Sequence, residues 1–174
     1  DTEAAGIVPV TFDSFATRLL ANIDEDGQWT EQSYDGRIAH AIDKIDDIGE
    51  FLESIEHVCV DELQDLVSVR MRFVQALLRT LNGGFTLLGD PAQGIYDFSL
   101  ADGETALEHG SPAFYRWLRD RYLTDLIEHR LTVNHRAKSD APKSACALGP
   151  LVETDPATAG TELFEILEDS PSLP

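Results

Sequence analysis

Residues 58–65 read Val-Cys-Val-Asp-Glu-Leu-Gln-Asp. Two adjacent acids at the end of an apolar run suit nucleotide hydrolysis. Asp61 can hold a Mg²⁺ ion, directly or through water, and Glu62 can orient and deprotonate an attacking water. Side chains of neighbours at a strand end diverge, so the two can serve separate roles. The same acids also suit the start of the helix that follows, where negative charge meets the positive end of the macrodipole. Further on, residues 89–98 read Gly-Asp-Pro-Ala-Gln-Gly-Ile-Tyr-Asp-Phe. Gly89 and Gly94 permit tight turns close to a ligand. The neutral amide of Gln93 can sense a phosphate oxygen without adding charge. Tyr96 and Phe98 alternate with Asp97 and Ser99, a pattern that serves either stacking on single-stranded bases or core packing. Arg136 closes the run Leu131-Thr132-Val133-Asn134-His135 and can reach a transferred phosphoryl group or pair with one of the many acids.

Such side chains must be positioned by regular elements. Ile7-Val8-Pro9-Val10 reads as a short strand, and Thr11 offers a helix cap. Phe12, Phe15, Ala16, Leu19, Leu20 and Ile23 follow at helical spacing. Residues 28–36 read as a polar loop. Apolar residues from Ile38 to Leu52 predict one or two helices, with Gly49 as the weak point. His57 to Val60 reads as a buried strand, with Cys59 as a small core residue. Leu66, Val69, Phe73, Leu77 and Leu81 mark one face of a long helix, closed by Asn82-Gly83-Gly84 as C-cap and turn. Phe85 to Leu88 predicts a second buried strand, Ser111-Pro112 a helix start, and Leu131-Thr132-Val133 a third strand. Strand, helix, strand, helix, strand is the alternation of an α/β domain with a parallel sheet, where ligands bind beyond the carboxyl ends of the strands. Asp61-Glu62, Gly89-Asp90-Gln93 and Asn134-His135-Arg136 each follow one predicted strand.

The 174 residues suffice for one domain with a core. No apolar run approaches the roughly 20 residues of a membrane span, and Asp1 to Gly6 lacks the features of a signal peptide. A net charge of -19 argues against a free-standing nucleic-acid binder. Lys and Arg gather between Arg116 and Lys143, whereas the stretch from Asp24 to Asp65 is acidic. Cys59 and Cys146 have no metal-type spacing, and a reducing cytoplasm is the expected location. Residues 149–174 carry Pro150, Pro156, Pro171 and Pro174 with no Lys or Arg, and read as a loosely packed tail or the start of a further element.

Four segments together resemble UvrD/Rep-type superfamily 1 helicases, in the family's order, between residues 10 and 137. Val58 to Asp65 is similar to motif II, a hydrophobic strand followed by D-E-x-Q-D. Phe85 to Phe98 is similar to motif III, Leu131 to Ala137 resembles motif IV, and Val10 to Leu20 resembles the upstream T-F-H-S-F segment that contacts DNA. The resemblance implies a partial RecA-like, P-loop NTPase-type domain over residues 1–145, with 146–174 as an acidic tail. It implies a fragment of an ATP-dependent DNA helicase or translocase, coupling Mg-ATP hydrolysis to movement on single-stranded DNA in repair or recombination. Asp61 would bind Mg²⁺ and Glu62 would be the catalytic base. Gln64 and Asp65 would tie the motif to neighbouring loops. Gln93 would contact the γ-phosphate, Arg136 would be the arginine finger, and His135 stands where an adenine-stacking Tyr is usual. Thr11, Phe12, Tyr96 and Phe98 would lie along the single strand. The partners implied are single-stranded DNA and the remaining motor domains of a parent chain.

The departures are specific. No G-x-x-x-x-G-K-[ST] occurs in the chain, so the phosphate loop is expected upstream of residue 1. Asp13 stands where the family has His, and Ser99 where it usually has Arg. The isolated chain is therefore expected to be inactive. Two other readings are a non-catalytic helicase-like binding or regulatory module, favoured by the acidity and by Asp13 and Ser99, and a metal-dependent nuclease using the same acids.

Overall fold

The structure, a computed structural model, describes residues 6–23, 27–90, 93–94 and 110–168. They fall into two compact units, residues 1–89 with 95–114 and residues 90–94 with 115–174.

In the first unit, Ile7 to Val10 does not form the predicted strand. It pairs with nothing described, and Ile7 is 84% exposed. Thr11 does cap a helix: the Ser14 amide donates to its Oγ1 at 3.2 Å, which starts α1 (Phe12–Ile23). Ala16, Leu19 and Leu20 are buried along one face of α1, as their spacing predicts. The stretch read as a loop instead holds a 3-10 turn, Gln28–Glu31, and the start of α2 (Tyr34–Asp43). Ser33 makes that start possible, since its side chain accepts from the Gly36 amide. A 3-10 turn, Ile45–Ile48, leads into α3 (Gly49–Glu53). β1 (His57–Val60), α4 (Ser68–Thr80) and β2 (Gly84–Leu87) complete a β-α-β unit.

The two strands pair in parallel, with His57 opposite Gly84 and Val60 opposite Leu87. Parallel pairing agrees with the sequence reading, but the burial does not. Of β1 only Val60 is buried, and Cys59 is exposed with a free thiol. Parallel strands read as buried when both faces are covered, and here the face bearing His57, Cys59 and Thr86 is open. The core lies instead among helices. Leu19, Leu20, Ile38, Leu52, Val69, Phe73 and Leu77 form its buried centre. Each large side chain withdrawn there contributes about 1.5–3 kcal/mol. Phe15 stands tilted against Phe51 and Phe73, with ring centroids 6.4 and 6.1 Å away.

Gly83 is required by close approach rather than by a left-handed cap. A Cβ there would lie 2.6 Å from the Ile55 carbonyl oxygen and from the Glu56 carbonyl carbon. The adjacent Gly84 amide donates to that Glu56 carbonyl at 2.9 Å, which sets the start of the strand pair.

α5 (Ser111–Tyr122) opens at Ser111-Pro112 as predicted, and its Phe114 and Leu118 are buried. Within the second unit a 3-10 turn, Leu123–Asp125, follows. The third strand is absent: residues 126–134 adopt neither strand nor helix, and Leu131 is 92% exposed. Where the sequence suggests a loose tail, α6 (Asp140–Ala147), α7 (Gly149–Thr154) and α8 (Pro156–Glu168) form, and α8 packs on both α6 and α7. Asp155 caps α8, accepting from the Thr158 amide at 3.2 Å and the Thr158 hydroxyl at 2.7 Å. These hydrogen bonds, the hydroxyl first, hold the Asp155 carboxyl below its ordinary range. Among the described side chains of these three helices only Ala159 is buried. No helix of the described residues is long and apolar enough to cross a membrane.

Candidate active site

β1 delivers its acids onto a turn of their own, separate from the helix that follows. Asp61 and Glu62 leave the strand, Leu63–Asp65 makes one 3-10 turn, and α4 begins only at Ser68 with no acid in its first turn. The helix-dipole use of these acids therefore does not apply.

The backbone of the turn is unusual. Glu62 sits at φ 53°, ψ 47°, in the left-handed region. A non-glycine residue there costs about 1–3 kcal/mol, and such strain gathers at working sites. Several hydrogen bonds hold it. Asp61 Oδ1 accepts from the Glu62 amide at 3.0 Å, and the Glu62 carbonyl accepts from the Asp65 amide at 2.9 Å. The Gln64 amide group donates to Glu62 Oε2 at 2.6 Å. Gln64 and Leu63 are buried, so the turn is anchored from below while Asp61 and Glu62 stay exposed above. Asp65 is pushed above its ordinary carboxylate value, first by burial and second by the Glu62 charge.

The turn is also fastened to the segment leaving β2. The Leu88 amide donates to the Val60 carbonyl, and the Leu63 amide donates to the Leu88 carbonyl, both at 2.8 Å. The ends of the two strands thus share one hydrogen-bonded step.

The structure brings Asp61, Glu62 and Gln64 together on this turn. Gln93 belongs to the second unit, is exposed, and donates to Asp90 Oδ2 at 2.6 Å. His135 and Arg136, also in the second unit, are exposed on a turn held by Asn134, whose Oδ1 accepts from the Arg136 and Ala137 amides at 2.9 Å. That turn replaces the expected strand end. Thr11 and Phe12 open α1: the Thr11 hydroxyl serves as a cap and the Phe12 ring is half-buried against the helical core. Tyr96 and Phe98 lie outside the described residues, as does Ser99.

Arg70 escaped the sequence reading. From α4 it reaches Asp35 at 2.9 Å and Asp13 at 3.7 Å, tying α1 and α2 to α4. Asp13 Oδ1 is enclosed and has no hydrogen-bond partner among the described residues. The departure at Asp13 was the available signal: an acid in place of a His calls for a cation nearby.

No group of three His, Cys, Asp or Glu forms a metal cage among the described residues. A Mg²⁺ ion carried with a triphosphate needs only one or two carboxylates beside phosphate oxygens and waters. The exposed Asp61 carboxylate at the end of β1 fits that demand.

With this geometry in hand, residues 38–112 match the family model described as UvrD/REP helicase N-terminal domain. Over that span the chain is similar to UvrD-type helicases. No curated protein and no solved structure gives a match. The UvrD-type span contains Asp61, Glu62, Gln64, Gln93, Tyr96 and Phe98. Thr11, Phe12, His135 and Arg136 lie beyond it. The helix-dominated fold with its two parallel strands is compatible with part of such a domain.

Proposed function

We propose that this chain is part of the first, RecA-like motor domain of an ATP-dependent DNA helicase or translocase. The Asp61–Asp65 turn carries the reading: an exposed carboxylate pair at the end of a parallel strand, held in a strained backbone, inside the UvrD-type span. Asp61 would hold the Mg²⁺ of Mg-ATP, and that ion would neutralise charge on the phosphates. Glu62 would take the proton of the attacking water, and Gln64 would fix its carboxylate through the 2.6 Å hydrogen bond. Gln93 would contact the γ-phosphate, Arg136 would stabilise the transferred phosphoryl group, and His135 would face the base. Thr11, Phe12, Tyr96 and Phe98 would follow single-stranded DNA, and the other motor domains of the parent would close the cleft. Repair or recombination would be the setting.

The isolated chain lacks a phosphate loop in its sequence, and we expect no ATP turnover from it above a buffer control. A parent protein supplying that loop should hydrolyse ATP in response to single-stranded DNA, with Glu62→Gln lowering kcat about 10²–10⁴-fold. Phosphate release by the isolated chain that Glu62→Gln abolishes would overturn the first expectation. A parent indifferent to Glu62→Gln would overturn the assignment.

A second reading, a non-catalytic helicase-like binding module, draws support from Arg70. The cation beside Asp13 commits a position of the proposed DNA track to an internal ion pair. That reading predicts a parent that binds nucleotide or partner without turnover.

A further inference from the structure

We propose that the groove between α1 and the start of α2 holds one nucleotide of a single strand, its base stacked on Tyr34 and its phosphate met by Arg18. The groove, of about 430 Å³, is lined by Thr11, Asp13, Ser14, Thr17, Arg18 and Tyr34. That volume falls in the roughly 300–1,000 Å³ range of small-molecule sites. Thr11, Ser14 and Arg18 are spaced three and four apart, so they share one face of α1, with Thr17 beside Arg18. Tyr34 is the first residue of α2. It lies outside all four segments of the helicase resemblance and outside the matched span 38–112.

The Tyr34 ring is presented rather than packed. It is 65% exposed, and the Arg37 guanidinium stands over it, 5.5 Å from the centroid. Arg37 is fixed in turn by donating from Nη2 to the Thr30 carbonyl at 3.1 Å. Phe12, expected along the strand, packs its ring against the helical core, so Tyr34 is the aromatic that this groove offers. Any base has a face that can stack there. Charge then selects an anion. Asp13 is committed to Arg70 at 3.7 Å, and Arg70 also holds Asp35 at 2.9 Å. Arg18 is exposed and has no ion pair among the described residues, although the chain carries 32 acids. The Ser14 and Thr17 hydroxyls can donate to phosphate or sugar oxygens beside it. This inference rests on the DNA reading above and extends it to a residue that no motif assigns.

Anisotropy of a fluorescein-labelled oligothymidylate, titrated with the full 174-residue chain at low salt, should show weak binding, opposed by the net charge of -19. Tyr34→Ala should weaken it roughly 5- to 150-fold, the loss of one stacked base, and leave the salt dependence unchanged. Tyr34→Phe should bind like the unaltered chain. Arg18→Gln should weaken binding and reduce the slope of log K against log salt by about 0.7, the share of one phosphate contact on a single strand. Both side chains are exposed, so these changes leave the core intact. Absence of binding at about 0.01 M salt overturns the proposal. So does binding indifferent to Tyr34→Ala or to Arg18→Gln, or equal binding of the same strand as a duplex. Displacement by free thymidine monophosphate at an equal nucleotide concentration would mark a mononucleotide site and overturn it too. The motor reading is decided separately, by ATP turnover in the parent carrying Glu62→Gln.

Discussion

Glu62 and Asp65 share a turn, and their proximity has a measurable sign. Burial and the Glu62 charge raise the Asp65 carboxyl above its unfolded value, so the folded state holds that proton more tightly. Its favourable contribution is complete below the unfolded value and is lost as pH rises through the folded one. Asp65→Asn should therefore stabilise the chain near neutrality by a few tenths of a kcal/mol, the side chain being only partly buried. Urea melts should show the gain at pH 7 and its disappearance below the carboxylate range; equal effects at both would contradict the shift. The chemistry of Asp61 and Glu62 was legible in the sequence because two acids ending an apolar run are informative. The left-handed backbone of Glu62 was not, since it is held by the Asp65 amide donating to the Glu62 carbonyl and by the Leu63 amide donating to Leu88 in the segment after β2.

Among elements, α1, α2 and α4 meet at Arg70. Removing it leaves the enclosed Asp13 oxygen without its cation, and Arg70→Ala should cost about 1–2 kcal/mol, moderated by partial exposure of the pair. A double change, Arg70→Met with Asp13→Asn, should cost less than the sum of the single ones. Asp13→His should destabilise this chain, because it removes a carboxylate that pairs with Arg70; chemical denaturation reads all five variants, and additive losses would dissolve the proposed coupling. The helices were legible from their 3.6-residue periodicity, as Leu19, Phe73 and Leu77 show. Strands were half legible. His57–Val60 kept its bounds because Asp61 stops the apolar run, yet its burial depends on layers that local sequence does not encode. Ile7 to Val10 and Leu131 to Val133 have strand composition but need a pairing partner, which is a non-local matter.

Over the whole chain, a charge of -19 opposes compaction. Salt shortens the screening length from about 30 Å at 0.01 M to about 3 Å at 1 M. The thermal midpoint should therefore rise across that range by several degrees, measured by circular dichroism; a flat response would mean that the acids are already neutralised by local pairing. The same acidity argues against free-standing DNA binding, whereas the helical character of residues 140–168 was hidden by prolines that sit at helix starts rather than inside helices. One small feature reaches furthest. Leu88 accepts from Leu63 and donates to Val60, so the carboxylate turn and the exit of β2 are rungs of the same ladder. A tug on Gly89 lengthens a bond that ends one residue from Glu62. A displacement at Gly89 would therefore reach the carboxylate turn through backbone hydrogen bonds alone, with no side chain as intermediary.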